Sequence, residues 1–231
     1  STSRGSRLRK LLVSSEVAAA VLLLCGAGLL VKTMLTLISG DPGYRTPGES
    51  VLTLDFSVPA GRDTRYPTEE ALSAFYDAVA RDVAALPEVR RVGWSSSLPY
   101  GTSELGRWMF EIVGDPPVES GRRPTAEYTV ADTGYFETLD LPIVHGRGFN
   151  ERDALRSVPV CLVNEAFVRR HFKGRDPIGV RLWLKPTFDR PAQVREIVGV
   201  VRQTSGEPDA PELTQVYAPL AQYPIGDVYM V

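Results

Sequence analysis

The most pronounced feature of the chain is an uninterrupted apolar run close to its N-terminus. Residues 17–31 read VAAAVLLLCGAGLLV without a polar side chain, and apolar residues continue the run on both sides. A helix over residues 12–38 would be about 40 Å long at about 1.5 Å per residue, enough to cross a hydrocarbon core of about 30 Å. Because the run is apolar on every face, it indicates a transmembrane helix rather than a buried helix of a soluble protein.

The residues in and around this run predict how the helix is arranged in the membrane. Gly26 and Gly28 give it a small-residue face that lets another transmembrane helix pack closely. Four basic residues precede the run and, by the positive-inside tendency, place the N-terminus in the cytoplasm and everything after Ser39 outside: Arg4, Arg7, Arg9 and Lys10. A cleaved signal peptide is the alternative, but the run is long and no clear cleavage site follows it.

The pattern beyond the membrane segment predicts a β-α-β unit. A turn-rich bridge at residues 41–48 leads to residues 52–58, where apolar and polar side chains alternate as in a half-buried strand. Thr68 is placed to cap a helix whose apolar stripe continues until Pro87 ends it. Residues 89–94 follow as the second strand of the unit.

Shorter elements are predicted in the remainder of the chain. Six segments are strand candidates: 108–113, 125–131, 158–163, 180–184, 195–202 and 215–218. Residues 135–139 are predicted to form one or two helical turns, and Asn164 to cap a further helix that stops at Gly174. Residues 227–231 are predicted to begin a strand that returns to the first strands. This density of short strands indicates a second subdomain.

Composition and charge exclude some classes of protein. The formal net charge of −2 excludes a strongly basic chain that coats nucleic acid. Five basic residues and one acidic residue within residues 1–40 give a local charge of +4, which leaves −6 for the rest of the chain. Cys25 and Cys161 have no cysteine or histidine companion at metal-ligand spacing, so both are interpreted as small buried hydrophobes. The first residue is Ser rather than Met, from which we expect a processed chain or a fragment.

A search for catalytic, metal-binding and cofactor-binding patterns finds none with a specific spacing. Residues 93–97 read GWSSS and fail the G-x-S-x-G elbow, and neither a phosphate loop nor H-E-x-x-H occurs. The other polar and aromatic candidates are interpreted as structural, capping or solvated residues: His145, His171, Glu69, Glu70, Glu151, Asp153, Trp94, Trp108 and Trp183. No catalytic, metal or cofactor residue is therefore predicted.

Short motifs follow the apolar run from Ser15 to Val31 along nearly the whole chain. In order, they are Asp41-Pro-Gly-Tyr44, Ala85-Leu-Pro-Glu-Val89, Ser97-Leu-Pro99, Tyr135-Phe-Glu-Thr-Leu139, Gly146-Arg-Gly-Phe-Asn-Glu-Arg-Asp153, Val163-Asn-Glu-Ala166, Asp176-Pro-Ile-Gly179, Ile197-Val-Gly-Val-Val-Arg202 and Val216-Tyr-Ala-Pro219. Together, in this order and spacing, the motifs resemble those of MacB/FtsX-type ABC transporter permeases of the type VII superfamily, most like the large permeases with a duplicated unit.

The resemblance implies an α/β (α+β) fold: a transmembrane helix followed by an extracytoplasmic MacB-like periplasmic core domain. That domain would have a porter-like β-α-β subdomain and a smaller inserted, mixed α/β subdomain. The expected division is a cytoplasmic basic segment at 1–10, a transmembrane helix at 11–38, a linker at 39–49, the porter-like subdomain at 50–107 with 225–231 as its completion, and the inserted subdomain at 108–224.

The function that the resemblance implies is that of a non-catalytic permease segment in the bacterial inner (cytoplasmic) membrane. A separate ABC ATPase subunit would bind and hydrolyse ATP, contacting parts of the permease outside this sequence, and the segment would transmit the conformational change for efflux or export of an envelope substrate. A permease dimer or pseudo-dimer is expected, with no cofactor on this chain and no nucleic-acid partner. Two alternatives stay open: a single-pass anchored binding or sensor domain, and an anchored hydrolase that uses Ser95, Ser96 or Ser97.

Overall fold

The structure is a computed structural model with two compact units, Ser1–Asp41 and Pro42–Val231. It describes residues 2–39, 51–61, 64–99, 105–116, 118–186, 191–203 and 213–231. The predicted linker at 39–49 lies outside the described residues, apart from its first residue.

The first unit is a single helix, α1, at Thr2–Ser39. It therefore continues through the predicted basic segment as well as the apolar run. Its part from Leu12 to Leu35 is long and apolar enough to cross a membrane, with a mean hydropathy of 2.1, and none of it is buried inside the protein. Leu24 is 76% exposed. A helix with this many exposed leucines and valines needs an apolar environment outside its own unit.

The second unit contains all the described strands and three further helices. The strands form one ten-stranded sheet: β1 (Leu54–Ser57), β2 (Trp94–Ser95), β3 (Arg107–Ile112), β4 (Thr125–Ala131), β5 (Ile143–Gly146), β6 (Val160–Asn164), β7 (Arg181–Lys185), β8 (Gln193–Val201), β9 (Gln215–Pro219) and β10 (Asp227–Met230). The helices are α2 (Glu69–Ala84), α3 (Thr133–Thr138) and α4 (Glu165–Phe172), and two 3-10 turns lie at Ser120–Arg122 and Leu220–Gln222.

The predicted β-α-β unit is present in split form. Strand β10 pairs antiparallel with both β1 and β2, so these two strands are parallel and β10 lies between them. The last strand of the chain therefore returns to the first strands, as predicted. Helix α2 connects β1 to β2; the Thr68 hydroxyl caps it by accepting a hydrogen bond from the Ala71 N–H at 3.2 Å. Leu72 and Tyr76 are its buried residues.

The predicted second strand at 89–94 is wrong in extent, because β2 contains only Trp94 and Ser95. Gly93 still exchanges two main-chain hydrogen bonds with Val231, at 2.8 and 2.9 Å. The residues before Gly93 lie alongside α3 and do not pair with any of the described strands. The Arg91 guanidinium, for example, donates a hydrogen bond to the carbonyl of Glu137 in α3 at 2.8 Å. Contacts with a helix distant in sequence thus replace the pairing that the apolar pattern predicts.

Six strands form a closed circuit of pairings, β4-β3-β7-β8-β6-β9 and back to β4. Strand β4 also pairs through Ala131 with β2, and the C-terminal part of β8 pairs with β5. The circuit and the β-α-β unit are therefore joined in one sheet through β4. The predicted boundary between residues 107 and 108 falls inside β3, and the division into subdomains stays a prediction.

The six strand candidates beyond residue 107 are observed with ends shifted by at most two residues. Strand β5 is an additional strand that the sequence pattern does not predict. Asn164 caps α4 as predicted, and the helix ends at Lys173 and Gly174, which both have positive φ.

The core lies on both faces of the sheet. All five residues of β6 are buried, with Cys161 and Val163 in the cluster that also holds Trp94, Trp108 and Phe110. Val160 and Leu162 point to the opposite cluster, which α3 covers with its aromatic residues. This alternation explains why β6 reads as a continuous apolar run, since a strand covered on both faces needs no polar side.

Candidate functional site

Gly26 and Gly28 lie on α1, where a Cβ atom at either position would meet nothing within 4 Å. Within the described part of its own unit, nothing packs on that face of the helix. A packing role for the two glycines therefore needs a helix from elsewhere, and it stays a prediction. The four predicted topology residues fall in the N-terminal turns of α1, and the orientation they predict also stays a prediction: Arg4, Arg7, Arg9 and Lys10.

The serine run that would carry hydrolysis is buried at the junction of β2 and β4. The Ser96 hydroxyl accepts a hydrogen bond from the Val130 N–H at 2.9 Å, and the Ser95 hydroxyl accepts one from the Ser97 N–H at 3.2 Å. Ser95 and Ser96 are fully buried. In the described part of the chain both hydroxyls thus bond to main-chain groups rather than to a general base, so they stabilise the strand junction.

The two histidines lie on different elements, His145 on β5 and His171 on α4. His145 is exposed on β5, and its Nε2 atom lies 3.1 Å from an Asp176 carboxylate oxygen. A main-chain N–H at Ile178 and this histidine lower the pKa of Asp176. His171, on α4, packs edge-on against Phe110 of β3, and burial lowers the pKa of His171. Among the described residues no three His, Cys, Asp or Glu side chains are grouped to hold a metal ion.

The cysteines differ in their surroundings. Cys161 is fully buried on β6, and burial raises the pKa of its thiol to about 12, so it is inert as a nucleophile. The prediction that Cys25 is buried is wrong within its own unit, where it is exposed on α1. The reason is that α1 has no helix beside it in that unit.

The predicted acidic residues have structural roles. Glu69 and Glu70 form the first turn of α2, and Glu70 accepts a hydrogen bond from Arg156 at 3.1 Å. Asp153 is 4% exposed and receives two hydrogen bonds from Arg147, at 2.8 and 3.0 Å. Burial opposes its ionisation, but the bonds from Arg147 and from a main-chain N–H lower the pKa of Asp153 overall. The pKa of Glu70 and that of Asp153 are both lowered, which is the opposite of what a general acid needs.

Two of the tryptophans are core residues, as predicted, and the third is not fully covered. Trp94 and Trp108 are buried, at 2% and 1% exposure. Trp183 is half-buried on β7, beneath the guanidinium of Arg123 at 5.1 Å. A cation above an aromatic ring accounts for this arrangement without a ligand.

Asp132 is a titratable residue that the sequence search missed. Its Oδ1 atom accepts hydrogen bonds from the main-chain N–H groups of Trp94 and Tyr135, at 2.9 and 2.8 Å, and so it caps α3 and holds β2. Burial nevertheless raises the pKa of Asp132 to about 6. The sequence signal was an Asp directly after a strand and before a short helix, which is a capping pattern.

A cavity of about 510 Å³ lies where the start of α2 meets the segments around β6 and β8. It is lined by Glu69, Pro159, Pro191, Gln193, Val194, Arg195, Gln222 and Tyr223. No sequence pattern singled out these residues, because they come from four separate segments of the chain.

Among the described residues of this lining Arg195 is the one cation, and it is 3% exposed. Its guanidinium donates to the carbonyl of Val160 at 3.1 Å, to the Gln222 side chain at 2.9 Å and to the Gln193 side chain at 3.1 Å. The Gln222 amide in turn donates to the Ser157 hydroxyl at 2.8 Å. Arg195 therefore joins β8 to the start of β6 and to the second 3-10 turn.

Comparison with protein families gives one match, to a family described as "MacB-like periplasmic core domain", over residues 18–230. The match begins inside α1 and ends inside β10, so it covers both units. No curated protein sequence matches the chain.

Solved structures of low sequence identity are also similar. The extracellular domain of the noncanonic ABC-type transporter YknZ from Gram-positive bacteria is 16% identical, with 78% of this chain and 83% of that chain covered and a TM-score of 0.46. The periplasmic region of MacB from Actinobacillus actinomycetemcomitans is 16% identical, with 84% and 78% covered and a TM-score of 0.47. A domain of a putative permease protein from Porphyromonas gingivalis is 18% identical, with 66% and 65% covered and a TM-score of 0.44.

Proposed function

The chain belongs to the family of MacB-like periplasmic core domains, and from this premise we propose that it is a non-catalytic segment of an ABC transporter permease that transmits ATP-driven conformational change. It is a membrane-anchored protein with an extracytoplasmic domain. The proposal goes further in giving the core domain and α1 a joint mechanical role in efflux or in export of an envelope substrate.

The observation that carries the proposal is the continuity of the family match. It starts at residue 18, within the apolar run, and continues to residue 230 in the last strand. Helix and core domain are thus part of the same family unit, which supports a common task. If α1 were only an anchor, its sequence would not need to match the same family model as the core domain.

The construction of the core domain supports a role in passing on motion. Its strands belong to one sheet, and strand β4 joins the closed six-stranded circuit to the β-α-β unit. Both faces of that sheet carry buried clusters. Because packed interiors deform little, a displacement applied to one part of such a domain moves the whole domain.

The partners follow from the proposed role. We expect a separate ABC ATPase subunit to bind ATP, and a permease dimer or pseudo-dimer in the inner membrane of a bacterium to provide the other helices. Gly26 and Gly28 would pack against one of those helices, since they leave room for close approach. Replacing both glycines by isoleucine should weaken association of the permease domains in the membrane, with no change in thermal unfolding of the core domain. Replacing Leu23 and Leu30 by isoleucine is the matched control.

The transmission role is tested by cross-linking in the full-length permease with its ATPase. A cysteine is introduced at Asp77, which is exposed on α2, in a protein whose Cys25 is replaced by alanine; Cys161 can stay because it is buried. We expect the yield of cross-links to the partner permease domain to differ between the nucleotide-free and ATP-bound states.

Arg170, exposed on α4, provides a second cysteine position on a different helix of the core domain. Equal cross-link yields in both nucleotide states from both positions would contradict mechanical coupling. That result would favour the alternative of a membrane-anchored binding or sensor domain.

A further inference from the structure

Arg195 is a buried cation whose hydrogen-bond partners, within the described ranges, are all neutral. Its partners in the described part of the chain are one main-chain carbonyl and two glutamine side chains. The phenol of Tyr128 is close enough to feel this charge: burial raises the pKa of the phenol, and the guanidinium of Arg195 partly offsets that rise. No carboxylate is among these partners, in contrast to Arg147, which is paired with Asp153.

A buried charge without a counter-charge is unusual because it loses its hydration without gaining an ion pair. Neutral acceptors can hold a guanidinium in place, but they leave its charge uncompensated. Arg195 is also one of the residues that line the 510 Å³ cavity, so its positive potential acts on that cavity. Cavities that bind small molecules have volumes of about 300–1,000 Å³.

The rest of the lining is suited to an apolar body. Pro159, Pro191 and Val194 line the cavity together with the ring of Tyr223, and Val194 is 43% exposed. The adjoining Val158 is 69% exposed at the surface. An exposed patch of valine and proline beside a polar floor is the combination found in sites that bind small organic ligands.

We propose that this cavity binds a small organic carboxylate, with the carboxylate directed to Arg195 and the apolar body against Pro159, Pro191 and Val194. Hydrogen bonds between ions of opposite charge are the strong ones in proteins, and a carboxylate would compensate the charge that the glutamines leave. Of the described lining residues, Glu69, exposed at the start of α2, is the one acid, and its repulsion weakens anion binding. This site stands independently of the transmission role proposed above.

The proposal is tested with 3-phenylpropionate and its neutral analogue 3-phenylpropanamide as probes. Binding of each to the full chain in lipid nanodiscs is measured by saturation-transfer NMR titration. We expect the carboxylate to bind at least about tenfold more tightly than the amide, which corresponds to one charge-assisted interaction. Equal binding of the two probes, or binding of neither, would overturn the proposal.

Variants locate the binding and separate it from folding. Val194→Trp fills the cavity from an exposed position without removing a bond of Arg195, and it should weaken 3-phenylpropionate binding at least about tenfold. Glu69→Gln should strengthen it, because it removes a repulsive charge. Arg181→Gln, at an exposed arginine on β7, is the control and should change binding less than about twofold. Unchanged binding in Val194→Trp would place the probe elsewhere and refute the site.

Discussion

At the scale of single residues, the junction of β2 with α3 is the most constrained part of the core domain. A Cβ atom at position 93 would overlap the main-chain nitrogen of Tyr135, and one at position 134 would overlap the carbonyl oxygen of Val92. Asp132 joins the same two segments through its two main-chain hydrogen bonds. The close approach of the two main chains therefore requires glycine at positions 93 and 134, and the half-buried carboxyl of Asp132 holds the two segments together.

Gly93→Ala should destabilise the core domain, because main-chain atoms of α3 cannot move away from the new methyl group as a flexible side chain can. We expect a loss of about 2–3 kcal/mol in the free energy of unfolding. Gly121→Ala is the control, since a Cβ atom there meets nothing within 4 Å. Thermal unfolding of the full chain in detergent measures both; similar melting temperatures for the two variants would refute the constraint at Gly93.

Asp132→Asn tests the raised pKa of that carboxyl. The folded-state pKa of about 6 lies above the reference value of 3.8, so the folded protein binds the proton more tightly and wild-type stability falls as the pH rises from about 4 to about 6. Asparagine keeps an oxygen for both main-chain N–H groups but carries no charge. The variant should therefore be more stable than wild type by about 1–3 kcal/mol at pH 7.5 and lose this part of the pH dependence. A less stable variant at pH 7.5 would contradict the assignment.

At the scale of elements, signals with a local cause predicted the structure well. The caps at Thr68 and Asn164 are side-chain-to-main-chain bonds within a few residues, and alternating apolar positions depend on the strand itself. Features that depend on contacts between segments distant in sequence were not predicted. Strand β2 is short because residues before Gly93 follow α3, and the buried Arg195 sits among partners from distant segments. A single sequence does not encode such neighbours locally.

Asn164 is the cap with the largest expected effect, because it joins β6, in which it lies, to α4 and to β9. Its Oδ1 atom accepts hydrogen bonds from the N–H groups of Phe167 in α4 and Gln215 in β9, and its amide donates to the carbonyl of Leu213. Asn164→Ala leaves these buried groups unpaired and should cost about 2–4 kcal/mol. Thr68→Ala, which removes one exposed bond, should cost about 1 kcal/mol. Equal losses in thermal unfolding would show that Asn164 acts as a cap alone.

At the scale of the whole molecule, the central question is whether α1 only anchors the core domain or whether the two move together, as the proposed function requires. The two units are a lone apolar helix and a domain built on one continuous sheet. The family match covers both of them. A helix that shifts in the membrane can move a stiff domain only if the segment between them transmits the displacement, and residues 39–49 are that segment in the sequence.

The most direct measurement is a distance between two spin labels, one at Asp77 of the core domain and one on the proposed partner permease domain, in the full-length permease with the proposed ATPase. A same-domain pair at Asp77 and Arg170 serves as a control and should keep its distance. We expect the distance to the partner domain to change by at least about 3 Å between nucleotide-free and ATP-bound states.

Inserting about ten glycine and serine residues within 39–49 should abolish this change without stopping ATP hydrolysis, because a flexible chain transmits no displacement. The same insertion after Gly114, an exposed turn with positive φ, should leave the change intact. A distance to the partner domain that is identical in both nucleotide states while ATP is hydrolysed, or one that still changes after the linker insertion, would contradict transmission through α1.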